Sequence, residues 1–476
     1  MNDAIAHCLK NVLFDLDGEY NTFIDLEIRD GKKVDPSLLK KFLQANGFRN
    51  LKIYNVSKVI KLTQNIVEVF TPQEVFNYCL KFIESHYSDF EAVFIEQGEK
   101  YLISKKALLG SLKPIEFKKF KDDILTSRHF FNNCFVEVTS NEIKTNFYKD
   151  LHKHKKYIFK DAIIDRPFEV RPKELSDFEK FLKLSTNSDL HFESVCTSIG
   201  YLLHSFKNPA NAKAIILSDV LSQATNEPNG RSGKGLIIKA IAEFINVVEY
   251  NGKNLDLKRD RFVYQSIDFN TDLFVIQDVS KSFDFEDLFS QITDKMDVQR
   301  KHVNKMIIDF ASSPKIALTT NYTIPQNTDS YADRKQLILL NNYFNANHKP
   351  ENEFKELFFV QWDEKQFLAF DNFVMRCIQS FLKNGLINYD DPELQKQNLI
   401  NNTSKVFIDL IESQYFINEY YLLKELAAKL EINSNEDSVK SKITMQWLNT
   451  YAKYNNFNIE TRTSAGVVKF CFLNKS

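Results

Sequence analysis

The stretch Asn226-Glu-Pro-Asn-Gly-Arg-Ser-Gly-Lys-Gly-Leu-Ile-Ile-Lys-Ala-Ile241 decides how this chain is read. It follows the apolar run Ala214–Leu217 after a loop and leads into an apolar helix, with Gly230, Gly233, Lys234 and Gly235 at the turn. A strand, a glycine-rich loop and a helix in that order suit a phosphate cradle. Glycines let backbone N–H groups approach phosphate oxygens, the helix N-terminus carries a positive partial charge, and the lysine reaches the β and γ phosphates. Asn229, Gly230, Arg231, Ser232, Gly233, Lys234, Gly235 and Leu236 are the candidate ATP-binding residues. The match to GxxxxGK[ST] departs twice: Pro228 stands where the first Gly belongs, and Gly235 replaces the Ser or Thr that helps hold Mg²⁺. Read alone, the segment is also compatible with a flexible glycine-rich loop carrying an incidental lysine.

Downstream, Asp272-Leu-Phe-Val-Ile-Gln-Asp278 is an apolar strand ending in an acid. Asp278 is the candidate for orienting Mg²⁺ or polarising the attacking water, the alternative being an ordinary buried strand that ends in a surface Asp. Gln277 occupies a place where a second acid is often found. Lys315-Ile-Ala-Leu-Thr-Thr-Asn321 ends in an amide that can orient water against a γ-phosphate, or simply open a turn. Arg334, in Ser330-Tyr-Ala-Asp-Arg-Lys335, is a candidate arginine finger reaching a neighbouring subunit's nucleotide, or else the partner of Asp333 in a surface ion pair. Arg300, Lys301, His302 and Lys305 cluster within Val298–Lys305 and could touch a phosphate backbone; a solvated charge run is the usual reading of such a cluster.

From Lys213 to Leu340, apolar strands (214–217, 273–276, 316–319, 336–340) alternate with helices, predicting a mostly parallel sheet covered on both faces. Around this α/β core at 207–345 we expect an N-terminal α/β or helical module at 1–125 and a helical collar or linker region at 126–206. In that region a helical pattern follows Phe130–Val138 through Tyr148 and Leu151, and another runs from Phe178 to Phe206. A helical segment is expected at 346–410. The helices Tyr421–Leu430 and Val439–Tyr454, then a hairpin from Phe457 to Phe472, give residues 411–476 the order of a winged helix, whose second helix can enter a DNA groove.

With 476 residues, 43% of them hydrophobic and 42 of them Phe, the chain can bury several cores. Its 62 Lys and Arg against 63 Asp and Glu leave a formal net charge of -1, so DNA contact must come from local basic patches or a ring channel. The six cysteines (Cys8, Cys79, Cys134, Cys196, Cys377, Cys471) form no CxxC pair, which argues against zinc and a disulfide framework. No signal-peptide pattern opens the sequence and no apolar run is long enough to span a membrane, so a soluble protein of a bacterial host's cytoplasm is expected.

In this order, the NGRSGKG loop, the VIQDV strand, the LFSQITDKMDVQRKHVNK segment, the PKIALTTN strand and the YADR tail resemble the superfamily 3 helicases, especially the primase-associated type of phages, plasmids and mobile elements. The resemblance covers about residues 130–385 and includes FFNNCFVEV at 130–138. It implies an AAA+-like P-loop ATPase core assembled as a homo-hexamer, using ATP and Mg²⁺, with nucleotide between subunits. By the same resemblance Lys234 binds phosphate, Asp278 serves the metal or water, Asn321 senses the γ-phosphate and Arg334 acts in trans. Arg300, Lys301, His302 and Lys305 would line a channel for single-stranded DNA. Origin DNA and a separate primase are the other implied partners, since the first 130 residues show no set of polymerase carboxylates.

Two further motifs are set aside. Val12-Leu-Phe-Asp15-Leu-Asp17-Gly18 resembles the nucleophile motif of haloacid dehalogenase-type phosphatases, but Glu19 stands where Thr is wanted. His152-Lys-His154 lacks the apolar residue between histidines that a nicking site requires, and reads as a polar turn. Two functions stay open at this level: a ring-forming, ATP-driven DNA helicase, and an origin-binding protein that uses nucleotide only as an assembly switch.

Overall fold

The computed structural model describes residues 24–25, 33–53, 56–105, 107–154, 156–171, 174–219, 231–280, 283–301, 303–322, 329–434, 441–464 and 466–474. Contacts divide them into two compact units, one ending at Ile387 and one beginning at Asn388. Asp15, Asp17, Asn229, Gly230 and His302 lie outside the described residues.

In the first unit a short antiparallel pair, Ile24–Asp25 with Lys33–Val34, precedes α1 (Pro36–Ala45) and the antiparallel strands β1 (Phe48–Ile53), β2 (Val56–Thr63) and β3 (Ile66–Phe70). Next come α2 (Pro72–His86) and α3 (Glu91–Glu99). The pairs Pro114–Ile115 and Ile158–Phe159 add an edge on each side of this sheet. Asp35 and Thr71 cap the two longer helices through their side chains, and Pro36 and Pro72 sit at the first helical position, where a missing N–H costs nothing.

Residues 127–146 differ from expectation. The sequence suggests a helix after Phe130–Val138; the chain instead forms an antiparallel sheet of β4 (Ser127–Phe131), β5 (Phe135–Val138) and β6 (Ile143–Asn146). The reason is local. Thr139 N–H donates to the Glu142 carbonyl at 2.9 Å, so Ser140-Asn141 closes a hairpin, and successive apolar residues point to opposite faces, Phe131, Val136 and Val138 into one core and Phe130 and Phe135 into another. The His152/His154 segment is a short 3-10 turn, Tyr148–His154.

Helices α4 (Asp177–Leu184) and α5 (Asp189–Leu203) lead into β7 (Ala214–Asp219), and α6 (Lys234–Ala242) follows. The remaining strands of this region are β8 (Val247–Asn251), β9 (Leu273–Val279), the hairpin β10 (Met296–Arg300) and β11 (Val303–Ile308), and β12 (Lys315–Thr320). The short helix α7 (Asp329–Arg334) precedes β13 (Lys335–Leu340), and α8 (Glu364–Asn384) comes later.

Five strands form one parallel sheet in the order β8-β9-β12-β7-β13. Strands β7 and β12 are buried along their whole length, as expected for a parallel sheet covered on both faces. Alternate residues feed two cores. Ile215, Leu217, Val275, Ala317 and Ile338 face α4, α5, α6 and α8. Ala214, Ile216, Phe274, Ile276 and Leu318 face Phe285, Leu288, Ile292 and the hairpin residues Met296 and Val298. Much of the phenylalanine sits in the first core, where Phe178, Phe181, Phe344, Phe358 and Phe370 interlock. Gly200 lets α5 meet α8: a Cβ there would lie 2.4 Å from the Cys377 carbonyl oxygen. Arg166 ties the β4–β6 region to the rest, with a bidentate pair to buried Asp371 (2.9 and 2.8 Å) and a bond to Glu243 (2.9 Å).

The second unit contains α9 (Pro392–Asn402), α10 (Lys405–Gln414), α11 (Leu423–Ser434) and α12 (Ser441–Tyr454), then the hairpin β14 (Phe457–Ser464) and β15 (Val467–Asn474). Tyr421–Leu422 adds a third strand against β15. Phe407, Ile411, Leu426, Leu448, Phe470 and Phe472 form its core. Among the described residues of the chain, no helix is long and apolar enough to cross a membrane.

Candidate functional site

In an open parallel sheet, ligands bind beyond the carboxyl ends of the strands, where successive connections leave in opposite directions. That condition is met at β7. From β7 the chain passes through α6 to the far edge at β8, returns through β9 and β12 toward β7, and then adds β13 on the other side. At the carboxyl edge beside β7 lie Asp219, Asn321 and the start of α6.

Gly233 is the N-cap of α6, with φ +100° and ψ 10°. That backbone conformation favours glycine, and packing requires it again, because a Cβ would lie 2.4 Å from the Phe181 ring. Arg231 also has a left-handed backbone, φ +65°. The sharp turn puts Lys234 at the first position of α6, where it is buried. Its Nζ donates to Asp219 Oδ2 and, at 2.8 Å, to Asn321 Oδ1. Ser232 Oγ donates to the other Asp219 oxygen. The loop's lysine and hydroxyl thus both grip one carboxylate. Gly235 and Leu236 form the first turn of α6, and Gly235 has open space where a side chain would point.

Asp219 is the residue that sequence reasoning missed. Its signal was the acid closing Ala-Ile-Ile-Leu-Ser-Asp219, two residues beyond the apolar run read as the strand.

Asp278 sits two strands away on β9, with φ +54° at a register shift between Ile276 and Val279. A non-glycine residue in the left-handed region is uncommon and needs support. A relay of hydrogen bonds supplies it. Asp278 N–H donates to Thr319 Oγ1 at 2.9 Å, Thr319 donates to Gln277 Oε1 at 2.6 Å, and Gln277 Nε2 donates to Glu249 at 3.1 Å. Gln277 therefore has a positioning role that an acid would fill badly, since a carboxylate there would repel Glu249. The Asp278 side chain is exposed, and nothing among the described residues pairs with its carboxylate.

Arg334 ends α7 immediately before β13, at the amino edge of the sheet. A six-residue strand spans about 20 Å, so Arg334 stands at the opposite edge from Lys234 of its own chain. It forms no ion pair with Asp333; its guanidinium lies 4.8 Å over the Phe289 ring, Nη1 donates to the Ser330 carbonyl at 3.1 Å, and buried Nε has no partner among the described residues.

The basic cluster occupies the β10–β11 hairpin, but two of its members are engaged locally. Arg300 donates to the carbonyls of Gln265 and Ile267, and Lys305 pairs with Asp297 at 2.6 Å. Lys301, at the hairpin tip, is exposed and lies 5.8 Å from the Phe262 ring centroid.

No protein-family model matches this chain, and no curated protein matches it. Among solved structures it is similar to the apo A form of the NrS-1 C-terminal region, with 12% identity, a TM-score of 0.43, and coverage of 92% of this chain and 100% of that one. A second apo structure of the NrS-1 C-terminal region gives 13% identity and a TM-score of 0.40 over 92% of this chain and 99% of that one. A ligand-bound JCV helicase gives 16% identity and a TM-score of 0.25 over 58% of this chain and 65% of that one.

Proposed function

We propose that this chain is an ATP-dependent DNA helicase of the superfamily 3 type, acting in replication of a phage, plasmid or other mobile element. The observation that carries this reading is the junction of Lys234, Asn321 and Ser232 at the carboxyl edge of the parallel sheet, with left-handed Gly233 turning the chain into α6. A lysine and a hydroxyl that already hold a carboxylate are equipped to hold a phosphate, which offers the same acceptors with more charge. Asn321, 2.8 Å from the lysine, is within reach of a terminal phosphate carried there.

The residues present fit a divalent cation in one respect: Asp278 offers an exposed carboxylate with no competing partner among the described residues. Mg²⁺ bound there would offset charge on the β and γ phosphates. Lys234 would neutralise the same phosphates, Asn321 would orient the attacking water, and the relay through Thr319 and Gln277 would keep Asp278 in its strained position. Arg334, too far to serve its own site, would complete the site of a neighbouring subunit, which favours a ring such as a homo-hexamer. Lys301 and its hairpin neighbours would face single-stranded DNA in the channel.

The second unit supports a winged-helix reading. Gln446, Asn449 and Lys453 form an exposed stripe on α12, suited to a duplex groove, and β14–β15 would be the wing. Origin DNA is the ligand proposed for it, with a separate primase as a further partner.

Two observations favour a second reading, a nucleotide-dependent switch with little turnover: Lys234 is held by Asp219, and Gly235 supplies no hydroxyl for the metal. ATP hydrolysis measured with and without single-stranded DNA, beside Lys234→Ala, separates the two. A motor gives turnover that rises with DNA and vanishes in the variant. Hydrolysis that persists in Lys234→Ala refutes both.

A further inference from the structure

A second, separate cluster of cations lies at the amino edge of the central sheet, opposite Lys234. It surrounds a cavity of about 40 Å³ whose lining includes Lys119, Lys121, Ser205, Asp272, Ser312 and Lys315. Lys315, the first residue of β12, is 4% exposed and donates to the carbonyls of Tyr201 and His204 at the end of α5. Lys207 stands beside it, 7% exposed, donating to Ser313 Oγ at 2.7 Å. Lys121 reaches Ser312 Oγ at 2.7 Å, and Lys119 faces Asp272 at 3.4 Å.

Against these four lysines the described residues set three carboxylates. Asp272 is one. Asp161 is another, occupied by Asn270 and pushed up by burial, with Asp272 adding to the shift. The third, Asp122, is already occupied by neutral donors: Ser127 Oγ at 3.0 Å, Arg128 N–H at 2.8 Å and Ser205 N–H at 2.6 Å. Asp123 is drawn to Arg128. Buried His129 and His204 are both pushed toward the neutral form by desolvation and add no balancing charge. Burial lowers Lys315 to about 7 and Lys121 and Lys207 to about 8, with mutual repulsion adding to the shift at Lys121 and Lys315. Incompletely compensated buried charge costs several kcal/mol per ion, so a fold that gathers lysines from two chain segments around a cavity, with Lys207 close behind, has reason to bring in a counter-ion.

We propose that this cavity is a binding site for a single inorganic phosphate ion, held by Lys119, Lys121 and Lys315 together with the hydroxyls of Ser205 and Ser312. The volume is about three times the ~10–15 Å³ that admits one water, room for one tetrahedral oxyanion. Asp272 discriminates among such ions. A carboxylate only accepts hydrogen bonds, so it welcomes the proton of hydrogen phosphate and repels sulfate, which has none at neutral pH. The small cavity favours the free ion over a phosphate within a nucleic-acid strand. The site does not depend on the helicase reading.

The test is calorimetric titration of the full chain at pH 7 with inorganic phosphate and with sulfate at matched ionic strength, repeated for Lys234→Ala, Lys121→Gln and Ser312→Ala. One phosphate should bind per chain in the parent and in Lys234→Ala, sulfate at least tenfold more weakly. Lys121→Gln should weaken phosphate at least tenfold, and Ser312→Ala, a smaller change that keeps the fold, by about threefold. Absence of saturable phosphate binding in the parent overturns the proposal. So does binding lost in Lys234→Ala and kept in Lys121→Gln, which would put the ion in the glycine-lysine loop. Displacement of bound phosphate by a 5′-phosphorylated oligonucleotide would overturn the free-ion assignment and give the site to a DNA end.

Discussion

The substitution Asp219→Asn removes the charge that Lys234 faces and keeps the shape of the side chain. Both partners are buried, Lys234 at 7% exposure and Asp219 at 5%. In the variant, Ser232 can still donate to the amide oxygen, but the amide N–H₂ confronts the ammonium, donor against donor. Removing one partner of a buried pair costs about 3–5 kcal/mol, and here the nucleotide-free protein bears that cost. A phosphate arriving at the loop would relieve it. Wild-type protein must first surrender the Asp219 contact, whereas the variant has nothing to surrender. Counting only one charge-assisted hydrogen bond, about 1.5–3 kcal/mol, nucleotide affinity should rise about 10–100-fold, at roughly 1.4 kcal/mol per tenfold. The assay is a titration with a fluorescent ATP analogue in EDTA, so that any role of Asp219 near the metal does not enter. The nucleotide-free variant should also unfold at lower urea, and saturating nucleotide should close most of that gap. Unchanged or weaker binding in EDTA would refute the idea that Asp219 competes with phosphate for Lys234.

Gly235→Thr should fold normally, because a Cβ there meets nothing within 4 Å, and should raise Mg²⁺-dependent hydrolysis about tenfold, about 1.4 kcal/mol of barrier; a rate unchanged across a Mg²⁺ titration counts against a metal site beside α6. Arg334→Ala should lower hydrolysis about 10³-fold while nucleotide binding changes little. Mixing it with Lys234→Ala should restore turnover in part, and failure of every mixture would contradict action in trans. In phosphate-free buffer, stability should rise between about pH 7 and 10.5. Burial holds Lys315 near 7 and Lys207 near 8, against 10.5 for an exposed lysine, so the unfolded chain binds more protons across that window. Urea midpoints that fall from pH 7.5 to 9.5 would contradict this, and Lys207→Met should flatten the rise.

Much of the fold was readable because parallel strands buried on both faces leave unbroken apolar runs. Ala214–Leu217, Leu273–Ile276, Ile316–Thr319 and Gln336–Leu340 all lie within observed strands, each of which extends further. The extensions mattered, since Asp219 and Asp278 lie in them. Residues 127–146 misled because short strands buried on both faces leave consecutive apolar residues that a buried helical segment also shows, and only the turn at Ser140-Asn141 separates the two. Edge strand β8 carries a weaker signal, being half-buried, and was not singled out.

By itself the sequence determined the loop chemistry: which glycines can turn the chain, which lysine follows them, and which polar residues end the strands, because these depend on residue type and short spacing. It could not say what those groups face. That Lys234 is held by Asp219, that Gln277 steadies Asp278 through Thr319, that Arg334 stacks on Phe289 at the far edge of the sheet, and that lysines 119, 121 and 315 converge on one cavity were decided by the tertiary structure alone. The physical reason is that charge pairing and burial depend on distances between residues that the chain brings together only after the strand order β8-β9-β12-β7-β13 is fixed.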